Sequence, residues 1–330
     1  MSIERASAAG EGASAGARGR VVVTGATGLV GTALVKALRA DGRAVTALVR
    51  DEARARRALG DGVELVRAPS LEDAGPWQAS LAEAHAIVHL AGEPIAGKRW
   101  DARQKQLIRD SRVESTRVIV EHLATLPTDV RPRVLVTASG ADYYGAADPA
   151  LDDDEPVAEN APSGDSFLSR VCAAWEHEAA AAAPLGVRVV RMRTGVVIAP
   201  GGALARMTTP FKLFAGGRIG SGQQWFSWIA LADAVAAYRA AIDDERYRGP
   251  MNLVAPASTR NRDLARALGK ALHRPAWLPV PAFALRAAVG ELAEYLLTGR
   301  RVVPAALERL GFTFAHPTLA GALAAALATS

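Results

Sequence analysis

Three glycines spaced three residues apart, Gly25, Gly28 and Gly31, follow the β-branched run Val21-Val22-Val23-Thr24 and precede an amphipathic stretch carrying Leu34, Val35 and Leu38. Each glycine suits a separate task in holding a pyrophosphate. Gly25 permits a tight turn out of a strand. Gly28 lets the backbone approach the pyrophosphate, whose charge sits against a helix N-terminus. Gly31 lets that helix lie close on the strand. With Thr27 and Leu29 completing the turn, the pattern predicts a strand–turn–helix unit that binds a dinucleotide. Arg50 stands about 20 residues further on, where a carboxylate would hold the ribose 2′-hydroxyl of NAD. A guanidinium there suits a 2′-phosphate instead, by charge and by forked hydrogen bonds. Arg50 therefore predicts NADP(H). Asp51 beside it could still serve a ribose, and the alternative for Arg50 is a solvated residue opening an Arg-rich helix.

Other reactive residue types are sparse. Lys98 and Arg99 read as unpaired cations beside Trp100, either facing an anionic substrate or simply solvated. Cys172 is the one cysteine of the chain, so no intrachain disulfide or Cys-based metal site can form. On a predicted helix it reads as a small buried apolar residue. The six histidines have no metal-ligand spacing. The formal charge of +5 is spread over arginines without a long basic run interleaved with aromatics, so nucleic acid is not an expected partner. The expected partner is a small-molecule substrate, with the chain a monomer or homodimer.

The elements that must position these residues alternate. Predicted strands at Val45–Val49, Val63–Val66, Ala86–Leu90, Arg133–Thr137 and Val187–Met192 are separated by helical patterns. The longest of these runs from about Asp101 to Leu126, and another covers Ser166–Ala183. Such alternation implies a parallel sheet with helices on both faces. Later patterns are less regular: helices over Ala203–Phe214, Ala232–Ile242 and Thr259–Leu272, extended segments at Trp225–Ile229 and Met251–Val254, then a mostly helical remainder. The reading is an α/β Rossmann-type doubly wound sheet over residues 20–200. Residues 201–275 add substrate-side segments interleaved with it, and 276–330 a small helical lobe over the cleft. The apolar residues Phe283, Leu285, Val289, Leu292, Leu296 and Leu297 of that lobe recur at helical spacing and need a surface to cover. Residues 1–19 read as a disordered tail without the apolar core of a signal peptide. No apolar run is long enough to span a bilayer, and the expected location is the cytoplasm.

Several blocks, in order, resemble the epimerase family of atypical extended short-chain dehydrogenases/reductases. They are Val23-Thr24-Gly25-Ala26-Thr27-Gly28, His89-Leu90-Ala91-Gly92-Glu93-Pro94, Gly97-Lys98-Arg99-Trp100, Arg109–Thr116, Tyr143-Tyr144-Gly145, Phe167-Leu168 with Trp175-Glu176, Arg193-Thr194-Gly195, Gln224-Trp225 with Ser227-Trp228-Ile229, and Leu278–Phe283. The resemblance implies a Rossmann domain with a smaller substrate-side lobe, NADP(H) as cofactor and an undefined substrate. It implies that Leu90, Ala91 and Gly92 pass the adenosine side of the cofactor, and that the backbone of Arg193, Gly195 and Val196 lines the nicotinamide. It also puts Lys212, Trp225 and Trp228 in the substrate cleft, although the two tryptophans could as well build the core of the lobe. The usual Tyr-x-x-x-Lys pair falls on Leu168 and Cys172, neither of which can move a proton as that pair does. Ser139, Tyr143 and Tyr144 remain as candidate proton donors, although the two tyrosines read more readily as aromatics packing a loop against the sheet, while Asp142 occupies a place where relatives more often carry a small residue. Two functions stay open: an epimerase-like oxidoreductase, or a non-catalytic NADP(H)-responsive binding protein.

Overall fold

The computed structural model describes residues 19–146 and 154–328. Most of the tail expected at 1–19 and part of the acidic loop lie outside these residues. The strand of the glycine unit, β1 (Val21–Thr24), is fully buried. It feeds α1 (Leu29–Ala40), which buries Gly31, Leu34, Val35 and Leu38. The chain then runs through β2 (Val45–Val49), α2 (Glu52–Leu59), β3 (Glu64–Arg67), β4 (Ala86–His89), α3 (Ala102–Thr125), β5 (Val134–Gly140), α4 (Phe167–Ala180) and β6 (Arg188–Thr194). Next come β7 (Val196–Ile198), α5 (Gly202–Lys212), β8 (Trp225–Phe226), β9 (Trp228–Ala230), α6 (Leu231–Asp243), β10 (Gly249–Leu253), β11 (Thr259–Arg260) and α7 (Asn261–Leu272). Four short helices close the chain: α8 (Ala282–Val289), α9 (Leu292–Leu297), α10 (Ala305–Arg309) and α11 (Leu319–Ala328).

Seven strands pair in parallel in the order β10-β6-β5-β4-β1-β2-β3. The order reverses between β1 and β4, and the crevice at the carboxyl ends of the strands beside that point is where such sheets bind ligands. Alternate residues of one strand serve opposite faces. Val21 and Val23 pack with Leu34, Leu38 and Tyr238 on one side. Val22 packs with Ile87, Ile119 and Leu123 on the other. Both faces are covered, so the inner strands read as continuous apolar runs.

A second, smaller core joins Ile198, Leu204, Phe211, Trp228, Leu264 and Leu323 from β7, α5, β9, α7 and α11. The C-terminal stretch is not one lobe laid over the cleft. Ala306 and Leu307 of α10 enter the main core, α11 packs on α7 in the small core, and only α8 and α9 stand together near α3 and α4. The expected covering stripe is only partly used: α8 buries no residue, and Phe283 is 76% exposed. Among the described residues no helix is long and apolar enough to cross a membrane.

Candidate functional site

Gly25 has φ of +64°, and a Cβ there would stand 2.7 Å from the carbonyl carbon of Leu90. At Gly31 a Cβ would stand 2.2 Å from the Gly25 carbonyl oxygen, so the helix can seat only on glycine. Gly28 caps α1 without any side-chain acceptor. The first N–H groups of the helix therefore point out of the turn uncapped, which is the usual provision for an anion. Thr27, Gly28 and Leu29 are exposed around them. Thr24 fixes the turn from below. Its Oγ1 accepts from the N–H groups of Leu90 and Ala91, both at 3.1 Å. It lies 2.7 Å from His89 Nδ1. With two acceptances already made, the hydroxyl donates its own proton to Nδ1. That leaves Nε2–H of His89 to donate to Ser115 Oγ at 3.1 Å, and Ser115 donates on to the Ser111 carbonyl at 2.7 Å. Burial lowers the His89 pKa to about 4, with Arg112 adding to the effect, so the ring is neutral. Arg50, at the mouth of β2, is exposed and forms no hydrogen bond or ion pair among the described residues. Glycine turn, uncapped helix and free guanidinium together fit a dinucleotide carrying a 2′-phosphate.

Beyond the turn, the carboxyl ends of β5 and β6 are tied together by a buried polar network. Arg193 holds the Glu176 carboxylate with Nε at 2.7 Å and Nη2 at 2.9 Å. Its Nη1 donates to Tyr144 Oη at 2.8 Å and to the Glu159 carbonyl at 3.0 Å. Ser139 donates to Glu176 Oε1 at 2.8 Å. Tyr144 donates to Asn252 Oδ1 at 2.6 Å. The Asn252 side chain donates to the carbonyls of Val157 and Val303. Burial pushes the Tyr144 hydroxyl up to about 12.

Residues 21–253 match the NAD dependent epimerase/dehydratase family, and residues 280–326 match a domain of unknown function, DUF1731. The chain belongs to the epimerase family. An epimerase family protein SDR39U1 homolog, chloroplastic, of Arabidopsis thaliana is 41% identical over 308 residues, 92% of this chain and 86% of that one. The Mycobacterium bovis epimerase family protein Mb2239 is 41% identical over 305 residues, 92% of this chain and 96% of its own. The human epimerase family protein SDR39U1, isoform 2, crystallised with NADPH, has a TM-score of 0.81 and 32% identity, covering 94% of this chain and 100% of that one.

Within this family framework the expected site residues fall in very different surroundings. Ser139 and Tyr144 are buried, and their hydroxyl protons are committed to Glu176 and Asn252. They hold strands together and present no proton to the crevice. Tyr143 is half-buried with the Arg193 guanidinium 3.4 Å from its ring centroid. The N–H of Gly195 donates to Leu253 O and that of Val196 to Ser227 O, so both N–H groups are spent within the protein. Arg193 acts through its side chain inside the sheet. Trp100 is buried against Phe167 and Tyr295, its indole N–H on the Ile95 carbonyl. Trp228 is a core residue donating to Thr259 Oγ1 at 3.0 Å. The guanidinium groups of Arg260 and Arg301 lie 4.3 and 5.6 Å from the Trp225 ring centroid. Lys98 is not unpaired, since Glu93 Oε1 is 3.0 Å away. Lys212 is exposed at the end of α5.

Sequence reasoning missed Arg112. It projects from α3 to the exit of β4, where a Cβ on Gly92 would stand 3.0 Å from its Cζ. Its one available signal was the Arg109–Thr116 block. Sequence reasoning also missed how Gly140 lets Asp142 and Cys172 converge: a Cβ there would lie 3.2 Å from Asp142 Oδ2 and 3.4 Å from Cys172 Sγ. As expected, Cys172 is buried on α4, and Leu168 is buried with it. Burial pushes the Cys172 thiol up to about 12.

Proposed function

We propose that the chain binds NADPH and acts as an oxidoreductase on a small carbonyl compound, sugar-like or cyclic. The observation that carries the cofactor is the pairing of an uncapped α1 N-terminus at the glycine turn with the unpartnered Arg50 at the end of β2. The human relative crystallised with NADPH supports the same reading. When bound, the cofactor supplies a hydride. The chain seats the pyrophosphate on the α1 backbone, holds the 2′-phosphate with Arg50, and keeps the turn rigid through Thr24 and the neutral His89. Fluorescence titration tests this. NADPH is expected to bind more tightly than NADH by about 1.5–3 kcal/mol, the worth of a charged hydrogen bond. Arg50→Glu should remove that preference. Equal affinities in the unaltered protein overturn the assignment.

A second reading, a non-catalytic protein that senses NADP(H), is favoured by one observation: Ser139 and Tyr144 spend their protons inside the sheet. NADPH oxidation in the presence of a panel of carbonyl compounds separates the two.

A further inference from the structure

The crevice at the ends of β4 and β5 holds a half-buried cation and a half-buried carboxyl that the cofactor site does not use. Arg112 donates through Nη1 to the carbonyls of Glu93 and Ile108, at 3.0 and 2.9 Å. Its Nε and Nη2 donate to no group among the described residues, and it ion-pairs with no carboxylate there. Trp175 lies under the guanidinium, 5.5 Å from Cζ to the ring centroid. Asp142 sits on the 3₁₀ turn Ala141–Tyr144 that leaves β5. Its backbone carbonyl is pinned by Ser169 Oγ at 2.8 Å and by Gly145 N–H at 3.0 Å, which fixes where the side chain starts. The carboxyl leans towards Gly140 beside the Cys172 thiol. Glycines at 92 and 140 leave room for the two charged groups, one on each strand exit.

Resting on the oxidoreductase reading above, we propose that Asp142 is the proton donor of the reduction and that Arg112 positions the substrate oxygen beside it. When a carbonyl carbon accepts the hydride supplied by NADPH, the π pair moves to oxygen and takes the Asp142 proton. A C–H and an O–H bond form, and the carboxyl O–H and the cofactor C–H break. The carbonyl becomes an alcohol and NADPH becomes NADP⁺. Asp142 is left as a carboxylate facing Arg112 and recovers its proton from water. The groups facing Asp142 are Arg112 from α3 and Cys172 from α4; Glu176 is already neutralised by Arg193. Burial raises the pKa of the Asp142 carboxyl, against smaller opposing pulls from its own backbone and from Arg112. The acid form is thereby retained closer to neutral pH, as a general acid needs.

The test begins without cofactor. In protein labelled with ¹³C at the aspartate carboxyl, the resonance absent from Asp142→Asn should titrate above the ordinary aspartate value of about 3.9. It should move further up in Arg112→Leu and return in Arg112→Lys. A resonance that titrates at or below the ordinary value, or ignores Arg112, overturns the proposal. The second arm follows NADPH oxidation with 9,10-phenanthrenequinone as the carbonyl probe. Asp142→Asn should lower kcat by about 10²-fold with NADPH affinity unchanged. The wild-type fall in kcat with rising pH should disappear in the variant, and Asp142→Glu should restore part of the rate. Wild-type and Asp142→Asn rates that agree overturn the proposal alone. A wild-type protein that binds NADPH but reduces no carbonyl, with the carboxyl titrating as expected, overturns the oxidoreductase reading and the proposal with it.

Discussion

Arg193 spends four hydrogen bonds inside the protein, two on Glu176, one on Tyr144 and one on a carbonyl. A buried guanidinium can be kept only when its donors are met and its charge is countered. Tyr144 is a link in that arrangement, since its hydroxyl both accepts from Arg193 and donates to Asn252. Tyr144→Phe leaves Nη1 of Arg193 and Oδ1 of Asn252 each short of a partner. Unmet buried polar groups cost about 1–3 kcal/mol, and urea unfolding of the variant should show a loss of that order. A stability equal to that of the unaltered protein would mean that water replaces the hydroxyl. At this scale the glycine turn was legible because its spacing is local. The pairing of Ser139 with Glu176, 37 residues apart, was not, because it exists only once α4 lies beside β5. The partner of Tyr144 was hidden for the same reason: Asn252 is 108 residues away.

The β4–α3 element illustrates how a strand end can govern a neighbouring loop. His89 joins Thr24 on β1 to Ser115 on α3 and needs an unprotonated Nδ1 to accept from Thr24. Its folded pKa of about 4 lies below the ordinary value of about 6.5. The neutral ring thus contributes stability that is fully present above pH 6.5 and is lost as pH falls through about 4. At 1.36 kcal/mol per unit, the loss is on the order of 3 kcal/mol. Unfolding midpoints should fall steeply across that window, and His89→Gln should flatten the curve. Identical pH profiles would remove His89 from the account. Elements with both faces covered were readable: β1, β2 and β4 are apolar runs in the sequence and buried strands in the fold. The predicted helix Ser166–Ala183 was nearly right, with Ser166 capping the N–H of Ser169 just before α4. The 3₁₀ turn Pro76–Leu81 and the short β7 escaped, because a few residues carry no period to read.

The molecule is closed by its C-terminus. Glu159 Oε1 accepts from the N–H of Asn252 on β10 and from that of Ala306 at the start of α10, both at 3.0 Å. The Val303 N–H donates to the Val157 carbonyl and the Val157 N–H to that of Arg301, and Asp233 accepts from the N–H groups of Ala315 and His316. Sequence patterning showed helices here but could not show their destinations, because several apolar surfaces accept a short helix equally well. A chain ended at Arg301 should lose cooperative thermal unfolding and aggregate, since β10 and the main core stay open. A truncated protein that melts as sharply as the full chain, at the same temperature, would sink that view. The Glu159 contact also sets a clock for biosynthesis. During translation β1 to β6 emerge and can zip together in order, but the edge strand that finishes the sheet gains its last partners only when Val303 and Ala306 leave the ribosome. Until they do, the nascent protein exposes an unfinished sheet edge, and that interval is when a chaperone would matter most to its yield.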